Sequence, residues 1–222
     1  MTEQPLQRIQ SRITAAERGP KVTLVAVSKT RSALEVRDLA KQGQQVFGEN
    51  YVQEALAKQT ELADLRLEWH LIGHLQSNKC KEAAQAFDWV DTIDRAKLLA
   101  SLDRYRDPSR PPLNLLIQVN VDDETSKSGC HPQQVPSLAE QIRHFPRLRL
   151  RGLMAIPAPA DETSRIRAFE RMHELFEQLR CAHPEIDTLS MGMSDDFELA
   201  IAHGATQVRV GTALFGPRPV AD

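Results

Sequence analysis

Cysteine is scarce in this 222-residue chain, and its three copies, Cys80, Cys130 and Cys181, lie far apart with no CxxC pair. An odd number without ligand spacing argues against a disulfide framework or a zinc site, and points to reduced thiols in a cytoplasmic compartment. Charge of one sign is lacking too. With 28 basic and 30 acidic residues the net charge is -2, so nothing in the electrostatics draws the chain to nucleic acid or to an anionic membrane. No apolar run approaches the roughly 20 residues that a membrane-spanning helix needs. The N-terminus, Met1 to Pro5, has neither the basic nor the apolar region of a secretory signal. There is no internal repeat and no low-complexity linker. Pro108–Pro112 and Pro157–Ala160 read as ordinary loops, so residues 1–222 are expected to form a single domain.

What the chain does have is alternation. A first helical pattern over Glu3–Glu17 places Leu6, Ile9, Ile13 and Ala16 on one face, and Gly19-Pro20 stops it. Strand-like runs follow at Val22–Lys29, Gln45–Asn50, Glu68–Gly73, Trp89–Ile93, Leu113–Val121, Leu148–Ile156, Thr188–Met193 and Gln207–Phe215. Helical patterns fill the gaps at Ser32–Gln42, Tyr51–Ala63, Asn78–Phe87, Arg95–Arg104, Pro136–Phe145, Glu162–Cys181 and Asp195–His203. The clearest is the longest, with a stripe of Ile166, Phe169, Met172, Phe176 and Leu179. A helix between successive strands implies parallel pairing, because parallel neighbours need a crossover. Eight strands so connected predict an α/β fold, a (β/α)8 TIM barrel with an extra N-terminal helix. A doubly wound open sheet is the alternative. Against it, the first strand–helix turn, Ser28 to Ser32, has no glycine-rich phosphate fingerprint.

In such a barrel the chemistry sits at the C-terminal ends of the strands. Lys29 closes the first. An ammonium there must reach solvent, find an anion or lose its proton, and in the last case it is a nucleophile able to form a Schiff base. The seventh strand runs through Ser190-Met-Gly-Met-Ser194 into a helix start, where Ser194 is expected as the N-cap and the amides behind it attract an anion. Gly211-Thr212 follows the eighth, with room for close backbone approach and a hydroxyl donor. Ser194 as a plain cap and Gly211 as a tight bend are the plainer alternatives. Together, after strands seven and eight, they predict a phosphate site, provided that Asp195 and Asp196 point away from it. Arg209 shares a strand face with Gly211, and a buried arginine needs a partner. That partner is a carboxylate or a heteroaromatic nitrogen. A phosphorylated aldehyde satisfies lysine, phosphate cradle and arginine together. Pyridoxal 5′-phosphate (PLP) is such a molecule, with its aldehyde on Lys29, its phosphate on Ser194, Gly211 and Thr212, and its pyridine nitrogen at Arg209.

The motifs Ala26-Val-Ser-Lys29, Phe47 to Glu54, Trp69 to Lys79, Thr125 to Gly129, Arg151-Gly-Leu-Met154, Leu189 to Ser194, and Arg209-Val-Gly-Thr212 with Phe215-Gly216 cover nearly the whole chain in order. In them the chain resembles the YggS/PROSC family of PLP homeostasis proteins, related in fold to the barrel of alanine racemase. Leu71 and Ala83 depart from the usual residues, at positions that read as packing. The resemblance implies PLP fold type III, Lys29 as the Schiff-base lysine, a monomer, and a role in buffering intracellular PLP rather than robust turnover.

A racemase needs a second base opposite the lysine, a tyrosine supplied by a second domain in the racemase family. That domain is expected to be absent here, and Tyr51 and Tyr105 are the only tyrosines. An arginine at the ring nitrogen also leaves it unprotonated and weakens the electron sink. The expectation is therefore a non-catalytic carrier, with apo-PLP enzymes as acceptors. The alternatives are a racemase-like PLP enzyme of weak activity and, without PLP, an aldolase whose Lys29 attacks substrate directly. Asn50 is expected near the ring or as a strand-end cap. His70 reads as a core histidine near enough to touch residues that contact the cofactor, and no HExxH pattern suggests a metal. Lys127, in a polar loop, is either a solvated lysine or an aid to PLP release.

Overall fold

A computed structural model describes residues 4–122, 128–158 and 161–217. Eight parallel strands, β1 (Thr23–Val27), β2 (Val46–Glu49), β3 (Glu68–Leu71), β4 (Trp89–Ile93), β5 (Leu113–Gln118), β6 (Leu148–Met154), β7 (Thr188–Ser190) and β8 (Gln207–Val210), pair in chain order. Pairing of β8 with β1 closes the barrel and rules out the open sheet. Closure leaves no strand edge exposed.

Helices alternate with the strands. They are α1 (Pro5–Ala16), α2 (Ala33–Lys41), α3 (Val52–Glu61), α4 (Cys80–Ala86), α5 (Leu99–Tyr105), α6 (Val135–Ile142), α7 (Glu162–Ala182), α8 (Phe197–Ala202) and α9 (Thr212–Phe215). α1 starts with Pro5 in its first turn, where the missing N–H costs nothing, and buries Leu6, Ile9 and Ile13 against α8 and α9. The expected start at Glu3 lies outside the described residues. α2 opens with a capping box between Ser32 and Glu35. α7 buries Phe169, Met172, Phe176 and Leu179 as its stripe predicts, while Ile166 is only half-buried.

Several strands stop short of their sequence patterns, mostly at the C-terminal end, although β1 and β2 also start one residue late. β7 ends at Ser190 rather than Met193, because Gly192 turns the chain at φ 92°, a conformation that favours glycine. The last strand pattern, Gln207–Phe215, is corrected most. Pairing ends at Val210, and residues 212–215 form α9, whose turn is closed by N–H groups of Leu214 and Phe215 donating to the Gly211 carbonyl. Apolar residues in a short run fit either state, so periodicity alone does not separate them.

The main apolar core lies between the barrel wall and the helices. Inside the barrel a second, small apolar cluster joins Trp89, Leu116 and Met154. The rest of the interior is unusually polar.

Candidate functional site

β7, β8 and β1 are neighbours, and their C-terminal ends gather five of the residues expected at the site. Val25 pairs with Arg209 in register. One step further up, a Cβ added to Gly211 would lie 3.3 Å from Val27 Cβ, so these two positions face each other at the barrel mouth. Lys29 follows two residues beyond β1, half-buried, in a turn whose next residue, Thr30, has φ 63°. A β-branched residue in the left-handed region is held there by its surroundings, at some cost. Ser194 is not the N-cap of α8, which is Asp196. Its Oγ instead accepts a long hydrogen bond, 3.4 Å, from the Gly211 amide, tying the loop after β7 to the end of β8. Thr212 is exposed on the same edge. Asp196 turns back to accept from the Met193 amide at 2.7 Å, and Asp195 is exposed.

Arg209 is buried in the barrel, and among the described residues no carboxylate is in ion-pair reach of it. Its guanidinium donates to Ser190 Oγ at 2.6 Å and to the Ala155 carbonyl at 2.8 Å. Burial pulls its pKa down to about 10, opposed by the charges of Asp91 and Asp196, so it stays protonated at neutral pH. A chain of hydrogen bonds leads inward from it. Gln207 Nε2 donates to Ser190 Oγ at 3.0 Å and to Asp91 Oδ2 at 2.9 Å. Asp91 meets His70 Nδ1 at 3.1 Å, and His70 Nε2 meets Glu68 at 3.1 Å. His70 also stacks on Trp89, with ring centroids 4.9 Å apart. Burial alone would lower the His70 pKa. The Asp91 charge and the bonds to Asp91 and Glu68 outweigh it and raise the pKa to about 9. The ring is therefore an imidazolium, and it reaches Arg209 through three intervening side chains.

Asn50 sits past the end of β2, half-buried. With Tyr51, Gly73, His74 and Lys79 it borders a cleft of about 460 Å3 on the mouth side. Tyr51, at the start of α3, is 63% exposed beside this cleft, whereas Tyr105 ends α5, at the opposite end of the barrel. Among the described residues the exposed large apolar side chains are Leu34, Tyr51, Ile156 and Met193, and all belong to segments that rim the mouth. Lys127 lies outside the described residues.

One cluster escaped the sequence reading. Lys58, buried on the inner face of α3, donates to Glu49 Oε1 at 2.6 Å, to Glu54 Oε1 at 2.8 Å and to the Ser28 carbonyl at 2.6 Å. Ser28 Oγ donates to the same Glu49 oxygen at 2.6 Å. Burial raises the Glu49 pKa, against the bonds from Lys58 and Ser28. The signal was there. Val52, Ala55 and Lys58 share one helical face, and a lysine in an otherwise apolar stripe calls for a buried anion.

Comparison with known proteins follows the fold. Residues 5–219 match the family described as alanine racemase, N-terminal domain. The pyridoxal phosphate homeostasis protein of Pseudomonas aeruginosa is 54% identical over 213 residues, covering 95% of this chain and 91% of the relative. That of Escherichia coli K12 is 49% identical over 224 residues, covering 96% and 95%. Among solved structures, PipY of Synechococcus elongatus PCC7942 with PLP bound superposes with TM-score 0.82 at 37% identity, over 94% of this chain and 100% of that one. Alanine racemase from Corynebacterium glutamicum shares the fold, with TM-score 0.67 at 20% identity, over 96% of this chain and 62% of that one.

Proposed function

The chain belongs to the family of pyridoxal phosphate homeostasis proteins, built on the alanine racemase N-terminal domain, and from this membership we propose that it binds PLP covalently on Lys29 and serves in PLP homeostasis. The observation that carries the reading is the convergence of Lys29, Ser194, Gly211 and Arg209 on three adjacent strand ends. The donor set fits the cofactor. Lys29 offers an amine, and Ser194, Thr212 and the Gly211 backbone offer small donors for a phosphate. At Gly211 the absent Cβ leaves the space beside Val27 open. When bound, PLP would supply an aldehyde carbon with which the Lys29 amine can condense, with loss of water.

Arg209 is clamped by Ser190 and Ala155 and remains charged, so toward a pyridine nitrogen it donates a hydrogen bond and surrenders no proton. That favours holding the ring over activating it. We place Asn50 as a polar neighbour of the ring, His70 as an indirect support of Arg209, and Lys127 in PLP release. The protein acts as a monomeric carrier of a single barrel domain, with apo-PLP enzymes as acceptors. The exposed apolar rim at the mouth suits transient contact with such an acceptor.

Visible absorbance of purified protein mixed with PLP tests the reading. The wild type should develop a yellow band that borohydride fixes onto Lys29, and Lys29→Ala should lose it. No band, or pyridoxyl fixed elsewhere, refutes the proposal. Steady racemisation of D- or L-amino acids that vanishes in Lys29→Ala would instead favour the racemase-like alternative.

A further inference from the structure

The buried cluster around Lys58 touches the Lys29 turn on both sides. Lys58 Nζ donates to the carbonyl of Ser28, the residue before Lys29. Glu54 Oε1 accepts the amide N–H of Thr30, the residue after it, at 2.5 Å. The two side chains are joined to each other at 2.8 Å, one helical turn apart on α3, and Lys58 is joined to Glu49 of β2. One ion cluster thus holds both peptide units that flank Lys29. The turn it holds is the one that places Thr30 at φ 63°. Beyond Thr30, Arg31 donates to the carbonyls of Gly216 and Pro217, just past α9. That fixes the far end of the turn to the segment carrying Thr212.

We propose that Lys58, Glu54 and Glu49 form a positioning clamp that holds the Lys29 backbone in the conformation presenting its amine to the cofactor aldehyde. The inference rests on the reading of Lys29 as the PLP lysine. It adds why a flexible four-carbon side chain attacks from a defined place. The cluster fixes the root of that side chain. The ion cluster lies between β2 and α3, and its contacts with the Lys29 turn are to the backbone on either side of Lys29. A buried pair of this kind is a poor source of net stability, the more so because Glu49 Oε2 is buried without a hydrogen-bond partner, and what the cluster contributes is the hold on the two flanking peptides. Glu49 Oε1 and Glu54 Oε1 each serve two donors here.

Glu54 is the residue to change, because its side chain is 25% exposed and its removal leaves the Glu49–Lys58 pair in place. Glu54→Ala removes the acceptor for Thr30, and Glu54→Gln retains it. In the unloaded protein, amide hydrogen exchange at Thr30 should accelerate at least about tenfold in Glu54→Ala and stay near wild type in Glu54→Gln. On mixing with PLP, the visible band should grow about tenfold more slowly in Glu54→Ala, with Glu54→Gln restored to within about threefold of wild type. Unchanged exchange at Thr30, or faster exchange with an unchanged rate of band growth, overturns the clamp. A lower melting temperature in Glu54→Ala with band growth at the wild-type rate reduces the cluster to a packing element and overturns it as well. Borohydride fixation of PLP away from Lys29 in the wild type is a different failure, that of the function itself.

Discussion

At the scale of single residues, the mouth of the barrel divides labour by the kind of donor each side chain offers. Arg209 is a planar fork used in two directions, to Ser190 Oγ and to the Ala155 carbonyl. A lysine has no such fork and cannot hold both acceptors in plane. Arg209→Lys should therefore raise the Kd for PLP about tenfold or more, a loss comparable to one charge-assisted hydrogen bond. Equilibrium dialysis measures it, and an unchanged Kd would remove Arg209 from the ring-binding role. Gly211 tests the proposed phosphate end of the cofactor site. Its φ of -119° is open to any residue, so alanine brings no backbone strain, only a Cβ 3.3 Å from Val27 at the edge of the proposed phosphate donors. Gly211→Ala should weaken PLP about tenfold while leaving pyridoxal, which has no phosphate, nearly unaffected. Equal weakening of both ligands would contradict a phosphate site there. The gathering of Lys29, Arg209, Ser194 and Gly211 at neighbouring strand ends is legible in the sequence, because each is a polar or glycine residue at the end of an apolar strand. Lys58, Ser190 and Asp91 are not. Their roles depend on which strands become neighbours, and periodicity does not carry that information.

At the scale of elements, the strand count, order and parallel sense followed from the alternation, while the strand ends did not. Trp89–Ile93 matched its pattern, because its flanks change abruptly. Gln207–Phe215 did not, because Ala213, Leu214 and Phe215 suit a buried strand as well as a single helical turn, and Gly211 permits the change of direction. Another glycine is fixed by a contact the sequence cannot reveal. Gly152 in β6 has φ 150°, and a Cβ there would sit 1.9 Å from the Thr188 carbonyl oxygen of β7. That oxygen is backbone in a paired strand and cannot swing aside. Gly152→Ala should destabilise the fold by about 3 kcal/mol or more, through forced separation of β6 from β7. A denaturant midpoint within error of wild type would mean that the two strands tolerate displacement.

At the scale of the whole molecule, the barrel axis carries a column of alternating charge where aliphatic layers are usual. Glu68, His70, Asp91 and Arg209 follow one another from the lower end toward the mouth, with Gln207 and Ser190 joining the last two. The seat of Arg209 is thus part of the packing of the barrel itself, and the stability of the fold becomes sensitive to the charge on His70. That sensitivity has a definite sign. The folded His70 pKa, about 9, lies above the value of 6.5 for a free histidine, so the folded state binds the proton more tightly. The resulting stabilisation is fully present below about pH 6.5 and is lost as pH rises through about 9, amounting to at most about 3 kcal/mol. Unfolding free energies from urea titrations should fall across that window in the wild type. In His70→Gln, where no proton is taken up, the slope between pH 6.5 and 9 should flatten, and the variant is less stable below about pH 9, where Asp91 and Glu68 lose the cation that wild-type His70 supplies. Equal slopes in the two proteins would show that His70 is neutral in the folded barrel and that the column is held by hydrogen bonds alone.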